Sequence, residues 1–279
     1  MEQNETDILY HYTDFSALDG ILSHAELRLN NVLNMNDAAE MNLFMSGLCR
    51  AAADRFRREG ADEKARLTRR IFLTEQKNRF SYSAYAACFS RYRDDAAQWE
   101  RYGNRGRGVC IAFRGDLLAR MAAGALSLEA VQYQVDVSDH PLAEELHALL
   151  AEAEAADGQT PALRNLLNRA WVTSAVYKHP SFASENEVRL VVSPFERAYF
   201  DVEPRYHITR DRIKKYYPLD LGQMCGRAGI GLEDLIPELM IGPESTQSLP
   251  ILQDYLHGLH FCRLAEHVFL SDCPLRQRG

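Results

Sequence analysis

Apolar and polar positions change period several times along this chain, and each change marks an expected element. Residues 8–12 read as a short strand. Thr13 and Asp14 are then placed to cap a helix running to about residue 22, because their side-chain oxygens can accept from amides of a first turn. Residues 26–30 alternate with period two and predict a second strand. After a loop around Asn34-Met35-Asn36-Asp37, an Ala-, Arg-, Glu- and Leu-rich stretch predicts helix from about 38 to 78, broken near Gly60. Small and aromatic residues at 82–90 predict a buried strand. A short helix over 96–102 and strands over 108–113 and 126–135 follow. Helix returns from 141 to 177 with a break at Asp157-Gly158-Gln159. Strands are then expected at 187–193, in part of 198–208, at 216–221 and at 237–241, followed by a helix over 246–256 and a closing strand over 261–270. Core strands near 8–30, 82–135 and 185–270, with helical insertions between them and no regular βαβ rhythm, predict one α+β domain spanning 1–279.

Composition narrows the function classes. The 279 residues carry a net charge of −7, which supplies no global positive field for nucleic acid or an anionic membrane. Basic residues are nevertheless clustered at Arg91, Arg93, Arg101, Arg105 and Arg107, and again at Arg205, Arg210, Arg212, Lys214 and Lys215. Six cysteines without a C-x-x-C pair read as reduced thiols of a cytoplasmic protein. The first residues lack a signal peptide's basic and apolar regions, and no apolar run is long enough for a membrane span, so no membrane partner is expected.

Several groups carry candidate chemistry. In an extended segment 185–189, Glu185, Glu187 and Arg189 share one face and lead into Leu190-Val191-Val192. Charges entering a buried strand are costly unless exposed or paired. The row is either a solvated ladder on an edge strand or a rigid group that holds a ligand hydroxyl. His11 and Thr13 share a strand face and suit a ribose; a hydrogen-bonded core histidine is the other reading. Asp37 and Glu40 have capping-box spacing, with a ligand role for Asn36 or Asp37 as the alternative. Ser90 closes a strand without the G-x-S-x-G surroundings of a hydrolase nucleophile. Trp99 and Tyr102, three apart on a helix, are either core or an aromatic wall for a planar ring. The loop Gly103-x-x-Gly106-x-Gly108 precedes a strand, unlike dinucleotide fingerprints, but its amides and Arg105 and Arg107 suit a pyrophosphate. His257-x-x-His260-x-Cys262 is the one ligand-like spacing, and it crosses a helix end, so no metal site is expected.

Taken in order, Tyr10-His11-Tyr12-Thr13, Leu33-Asn34-Met35-Asn36-Asp37 with Glu40, Cys88-Phe89-Ser90, Trp99-x-x-Tyr102 and the strand opened by Gly108 resemble a large bacterial family of domains of unknown function. Lys178, Phe182, Glu185-x-Glu187-x-Arg189, Ile241-Gly242-Pro243 and Ser271-x-x-Pro274-x-Arg276 continue the series, which covers residues 9 to about 276. That family is in turn similar to the ADP-ribosyltransferase fold. The resemblance implies an ADP-ribosyltransferase-like mixed β core that binds NAD as substrate. It implies either transfer of ADP-ribose to a protein or nucleic-acid acceptor, or hydrolysis of NAD. Toxin or anti-phage defence biology fits such an activity.

Carried over by position, His11 and Thr13 hold the nicotinamide-side ribose, and Tyr102 or Trp99 stacks on nicotinamide. Glu187 binds a ribose hydroxyl and stabilises the cationic transition state, and Glu185 matches the first Glu of an E-x-E pair. Ser90, Arg107 and Arg189 complete the expected binding set. Two other classes stay open: a non-catalytic nucleotide-binding or protein-interaction module, and an RNA- or phosphate-directed relative using Arg101, Arg105 and Arg107.

Overall fold

The computed structural model describes residues 7–34, 40–78, 84–134, 136–153, 160–192, 202–208 and 212–274. Asn36, Asp37 and Arg276, and the expected breaks around residue 158, lie outside them. The side chain of Glu40 is likewise outside the description.

The chain opens with strand β1 (Ile8–Thr13), helix α1 (Phe15–Ser23) and strand β2 (Glu26–Asn31). Asp14 caps α1 by accepting from the Ala17 amide at 2.8 Å. Two long helices follow, α2 (Glu40–Arg58) and α3 (Asp62–Asn78), separated at Gly60, which holds φ +75°. Next come β3 (Tyr85–Ser90), α4 (Ala96–Arg101), β4 (Val109–Arg114), α5 (Gly115–Met121), β5 (Leu126–Ala130) and β6 (Gln132–Tyr133). Helices α6 (Pro141–Glu152) and α7 (Pro161–Ser174) both start with proline, which needs no amide partner there. They lead to β7 (Tyr177–Lys178), a 3₁₀ turn (Pro180–Glu185) and β8 (Glu187–Val192). The last third contributes β9 (Arg205–Ile208), β10 (Ile213–Asp220), α8 (Leu221–Ala228), α9 (Leu232–Leu235), β11 (Glu238–Ile241), α10 (Leu249–Gly258), α11 (Cys262–Ala265) and β12 (Val268–Leu270). The architecture is mixed α+β.

Ten strands form one mixed sheet, and β6 and β7 pair separately as a parallel ribbon. Strand β3 is its branch point. One edge of β3 is covered along its whole length by β8, which β5 flanks in turn. The other edge is shared: β1 meets it at Tyr10–Ser90, and β2 meets it at Asn30–Ala86 and Asn31–Tyr85. Beyond β1 lie β4, β11 and β12; beyond β2 lie β10 and β9. The sheet therefore forks along β3.

Strand alternation gives each face of β3 and β8 its own core. Ala87, Phe89, Val188 and Leu190 pack with Leu9, Phe113 and residues of α1, α5 and α8 to α11. Ala86 and Val191 face the other way, against Phe44, Phe56, Leu166 and Trp171 of the long helices. A small third cluster seats Trp99 on Tyr12, Cys110 and Met240.

Three sequence expectations change. The closing strand over 261–270 is a helical turn, α11, followed by a strand of three residues, β12. Helices α5, α8 and α9 were not expected. In α8, Gly222 and Gly226 mask the helical pattern, while Asp220 and Gly229 cap its ends. The strand expected at 187–193 is β8, but Glu185 does not share its row with Glu187 and Arg189: Glu185 ends the 3₁₀ turn, Asn186 takes left-handed φ +43°, and the strand begins at Glu187. Strand β8 is also internal, between β3 and β5, so its charged row is not a solvated edge.

Candidate functional site

Where β1 and β2 diverge from β3 the sheet opens into a cleft of about 630 Å³. Its lining includes His11, Thr13, Ser90, Tyr102, Glu185, Glu187 and Arg189, drawn from β1, β3, α4, the 3₁₀ turn and β8.

The floor is a buried charged network. Lys178, Glu185, Glu187 and Arg189 are 3, 2, 8 and 1 % exposed, values that demand partners. Arg189 donates from Nε and Nη2 to Glu187 at 2.8 and 2.9 Å, and from Nη1 to the Ala175 carbonyl at 2.6 Å. Lys178 donates to Glu185 Oε2 at 2.5 Å and to Glu187 Oε2 at 3.3 Å. The same ammonium lies over the Phe182 ring at 4.8 Å. At the rim, Arg101 and the Tyr102 hydroxyl donate to Glu185 Oε1 at 2.7 and 3.2 Å. Burial alone would raise the Glu187 carboxyl. The Arg189 charge and hydrogen bonds, then Lys178, overcome it and hold that carboxyl at about 2. Glu187 is therefore a carboxylate at any ordinary pH.

Backbone contacts fix this floor. Ser90 donates to the Glu185 carbonyl at 2.9 Å and Gln98 donates to it at 3.3 Å, pinning the 3₁₀ turn to β3 and α4. The Glu187 amide donates to the Tyr133 hydroxyl at 2.8 Å. Helix α4 is held in turn by the Asp94 carboxylate, which accepts from Trp99 Nε1 at 2.7 Å, from the Ser271 hydroxyl and from the Asp272 amide at 2.9 Å. The Tyr12 hydroxyl donates to the Tyr92 carbonyl and accepts from the Asp95 amide, so β1 anchors the turn before α4.

His11 occupies the fork itself. Its Nδ1 lies 2.8 Å from the Cys88 carbonyl. A carbonyl only accepts, so Nδ1 carries the hydrogen and Nε2 is left as an acceptor. Burial pushes the imidazole pKa down against that hydrogen bond and the Asp14 charge, which favours the neutral ring. The ring packs on Phe89 and Phe113 at centroid distances of 5.6 and 6.4 Å. His11 thus reaches the cleft from the side of the first core, whereas Glu187 belongs to the opposite face of β3 and β8. Burial pushes the Tyr102 hydroxyl up, so it stays a donor. Burial, then the neighbouring Glu187 charge, push the Cys88 thiol well up, which leaves a thiol rather than a nucleophilic thiolate in the cleft.

The structure does not gather every residue expected from the sequence. Trp99 is fully buried against Tyr12, with its indole nitrogen committed to Asp94, and cannot form a wall of the cleft. Tyr102 alone of that pair reaches it. Arg107 is exposed and does not line the cleft. The glycines of its loop serve close packing instead: a Cβ on Gly108 would lie 2.0 Å from the Thr13 carbonyl oxygen. Arg189 lines the cleft, but the three donors described above point to protein acceptors, so it orients Glu187. Ser90 likewise holds the turn that carries Glu185.

Lys178 is the residue the sequence reading did not place in the site, although the charge count held the clue. Two buried carboxylates facing one guanidinium require a second cation. Among the described residues no three His, Cys, Asp or Glu side chains gather where they could hold a metal ion. No helix among them is long and apolar enough to cross a membrane.

A family model described as "Protein of unknown function (DUF2971)" matches residues 98–190. That stretch contains Arg101, Tyr102, Lys178, Glu185, Glu187 and Arg189, the whole charged floor, while His11, Thr13 and Ser90 lie before it. No curated protein and no solved structure matches the chain.

Proposed function

We propose that the cleft binds NAD and that the protein transfers ADP-ribose to an acceptor or hydrolyses NAD. The observation that carries this reading is a permanently ionised carboxylate, Glu187, fixed by Arg189 and Lys178 at the floor of a cleft that also holds a neutral imidazole. Breaking the nicotinamide–ribose bond sends the bonding pair to the nicotinamide nitrogen and leaves an oxocarbenium-like ribose. A preorganised carboxylate complements that developing charge. Water or an acceptor nucleophile then captures the sugar and loses a proton. His11 Nε2 and the Thr13 hydroxyl offer hydrogen bonds to ribose hydroxyls, and the Tyr102 ring offers a stacking surface. A mixed α+β fold with a forked sheet and the resemblance to the ADP-ribosyltransferase fold support the same reading.

One observation favours a second reading. Every carboxylate oxygen of Glu185 and Glu187 already has a protein donor, as expected of a rigid binding module without turnover.

Nicotinamide release from NAD by the purified protein separates the two. For an enzyme, Glu187→Gln lowers release by about 10²- to 10³-fold. Thr13→Val, which keeps the side-chain volume and disturbs no ion pair, weakens NAD binding in a folded protein. Mass spectrometry of added acceptors distinguishes transfer from hydrolysis. Thermal stabilisation by NAD without release supports the binding module, and the absence of both overturns the NAD reading.

A further inference from the structure

The register of the forked sheet extends the face that carries Glu187. Glu187 pairs with Ser90, Arg189 with Cys88 and Val191 with Ala86; Ala86 pairs with Asn30, and Asn30 with Tyr216. Directly paired residues share a face, and so do residues two apart on one strand. Glu26 and Arg28 on β2, Lys214 on β10, and Arg205 and His207 on β9 therefore stand on the same face as Glu187. Lys214 and His207 are direct partners across β10 and β9. Arg28, Lys214 and His207 line the cleft. From β8 to β10 is three strand spacings, about 14 Å, so this wall lies well apart from the carboxylate floor.

Its charges do not balance. Two carboxylates stand on it: Glu26 serves both Arg205, at 2.5 Å, and Arg28, at 3.9 Å, and Asp220, its partner across β10, caps α8 by accepting from the Gln223 amide. Arg28 also lies over the Tyr216 ring at 5.2 Å, which fixes the guanidinium against the sheet. No carboxylate among the described residues lies within ion-pair distance of Lys214. The wall carries a surplus of positive charge in a chain whose net charge is −7.

We infer that the wall of Arg28, Lys214 and His207 is a phosphate subsite. The ligand lies across the face with its diphosphate on these cations and its sugar hydroxyls at the Glu185–Glu187 floor. A ligand anionic at one end and polyhydroxylated at the other is a nucleoside diphosphate or a molecule containing one. The inference rests on the nucleotide reading of the cleft and adds the orientation of the bound molecule. Arginine and lysine are the side chains suited to this task, and a phosphate held by both loses affinity with salt.

Calorimetric titration of the purified protein with ADP, with adenosine and with a short single-stranded oligoribonucleotide tests it, using wild type, Lys214→Met and Lys214→Arg. Lys214 is partly exposed and pairs with no carboxylate among the described residues, so these variants fold. ADP is expected to bind at least about tenfold more tightly than adenosine. Lys214→Met should weaken ADP by about tenfold and leave adenosine unchanged, and Lys214→Arg should retain ADP. No ADP binding, equal affinities for ADP and adenosine, or an ADP affinity indifferent to Lys214→Met each overturns the subsite. An oligoribonucleotide that binds more tightly than ADP with the same Lys214 dependence overturns it in favour of a nucleic-acid surface. The two readings fail separately. Lys214-dependent ADP binding without nicotinamide release keeps the subsite and removes the NAD chemistry. Nicotinamide release with an unchanged KM in Lys214→Met keeps the chemistry and removes the subsite.

Discussion

Burial and pairing pull the Glu187 carboxyl in opposite directions, and pairing wins: the group sits at about 2 in the fold against 4.5 when free. Its folded value is depressed, so its contribution to stability is complete above about 4.5 and drains away as pH falls from there toward 2. The acid limb of a stability–pH curve should flatten in Glu187→Gln. That substitution also leaves the Arg189 guanidinium buried without its counter-charge. Unfolding should become easier by about 3–5 kcal/mol, read as a lower midpoint in denaturant. His11 acts in the same sense at higher pH. Its folded pKa is lowered from 6.5, so the unfolded chain takes up the proton first and stability falls as pH drops below about 6.5. His11→Gln should make that slope shallower, the rest coming from His140, which burial lowers in the same sense. At this scale the sequence made Glu185, Glu187 and Arg189 visible because charges in front of an apolar run are conspicuous. Lys178, at the far end of a helical segment, belonged to the same ordered series but stood apart from the charged row, so nothing local tied it to Glu185 and Glu187. Trp99 and Tyr102 shared a helix face in the sequence, and only tertiary packing could tell which one faces the cleft.

Elements join in this molecule through glycines at close approaches. A Cβ on Gly108 would meet the Thr13 carbonyl oxygen, and one on Gly242 would meet the Gly106 carbonyl oxygen at 2.3 Å. Both neighbours are backbone, which cannot rotate away. Gly108→Ala should therefore cost on the order of 1–3 kcal/mol and displace the β1–β4 ladder, seen as a lower melting temperature. Gly20, inside α1, has open space where a Cβ would go. Gly20→Ala should stabilise by about 0.5–1 kcal/mol, and the pair of variants reads packing against helix propensity. Capped helices such as α1, α6 and α7 and the long helices α2 and α3 were legible. Short ones were not: α8 hides behind its glycines, and α11 is a single turn of four residues, too short to show a helical period.

Across the whole molecule, five cations and four carboxylates line the cleft, while the chain as a whole is acidic. That inversion of sign is a property of strand register and could not be read from composition. The thiols are distributed just as unevenly. Cys262 is exposed, whereas Cys49, Cys110 and Cys225 are buried, and burial pushes Cys49 up to about 11. A thiol reagent at neutral pH should label Cys262 first and reach those three only on unfolding. The forked sheet also has a mechanical meaning. On one side of the fork stand β12, β11, β4 and β1, and on the other β2, β10, β9, β8 and β5. Between β1 and β3 the backbone bridge is Tyr10–Ser90, supplemented by the imidazole bond from His11 to Cys88. A seam held so lightly breathes before the ladders beside it. Amide protons of Tyr10 and Ser90 should trade with deuterated solvent sooner than those of Ile111 and Leu190, and a ligand seated in the fork should slow that exchange by acting as the missing rungs.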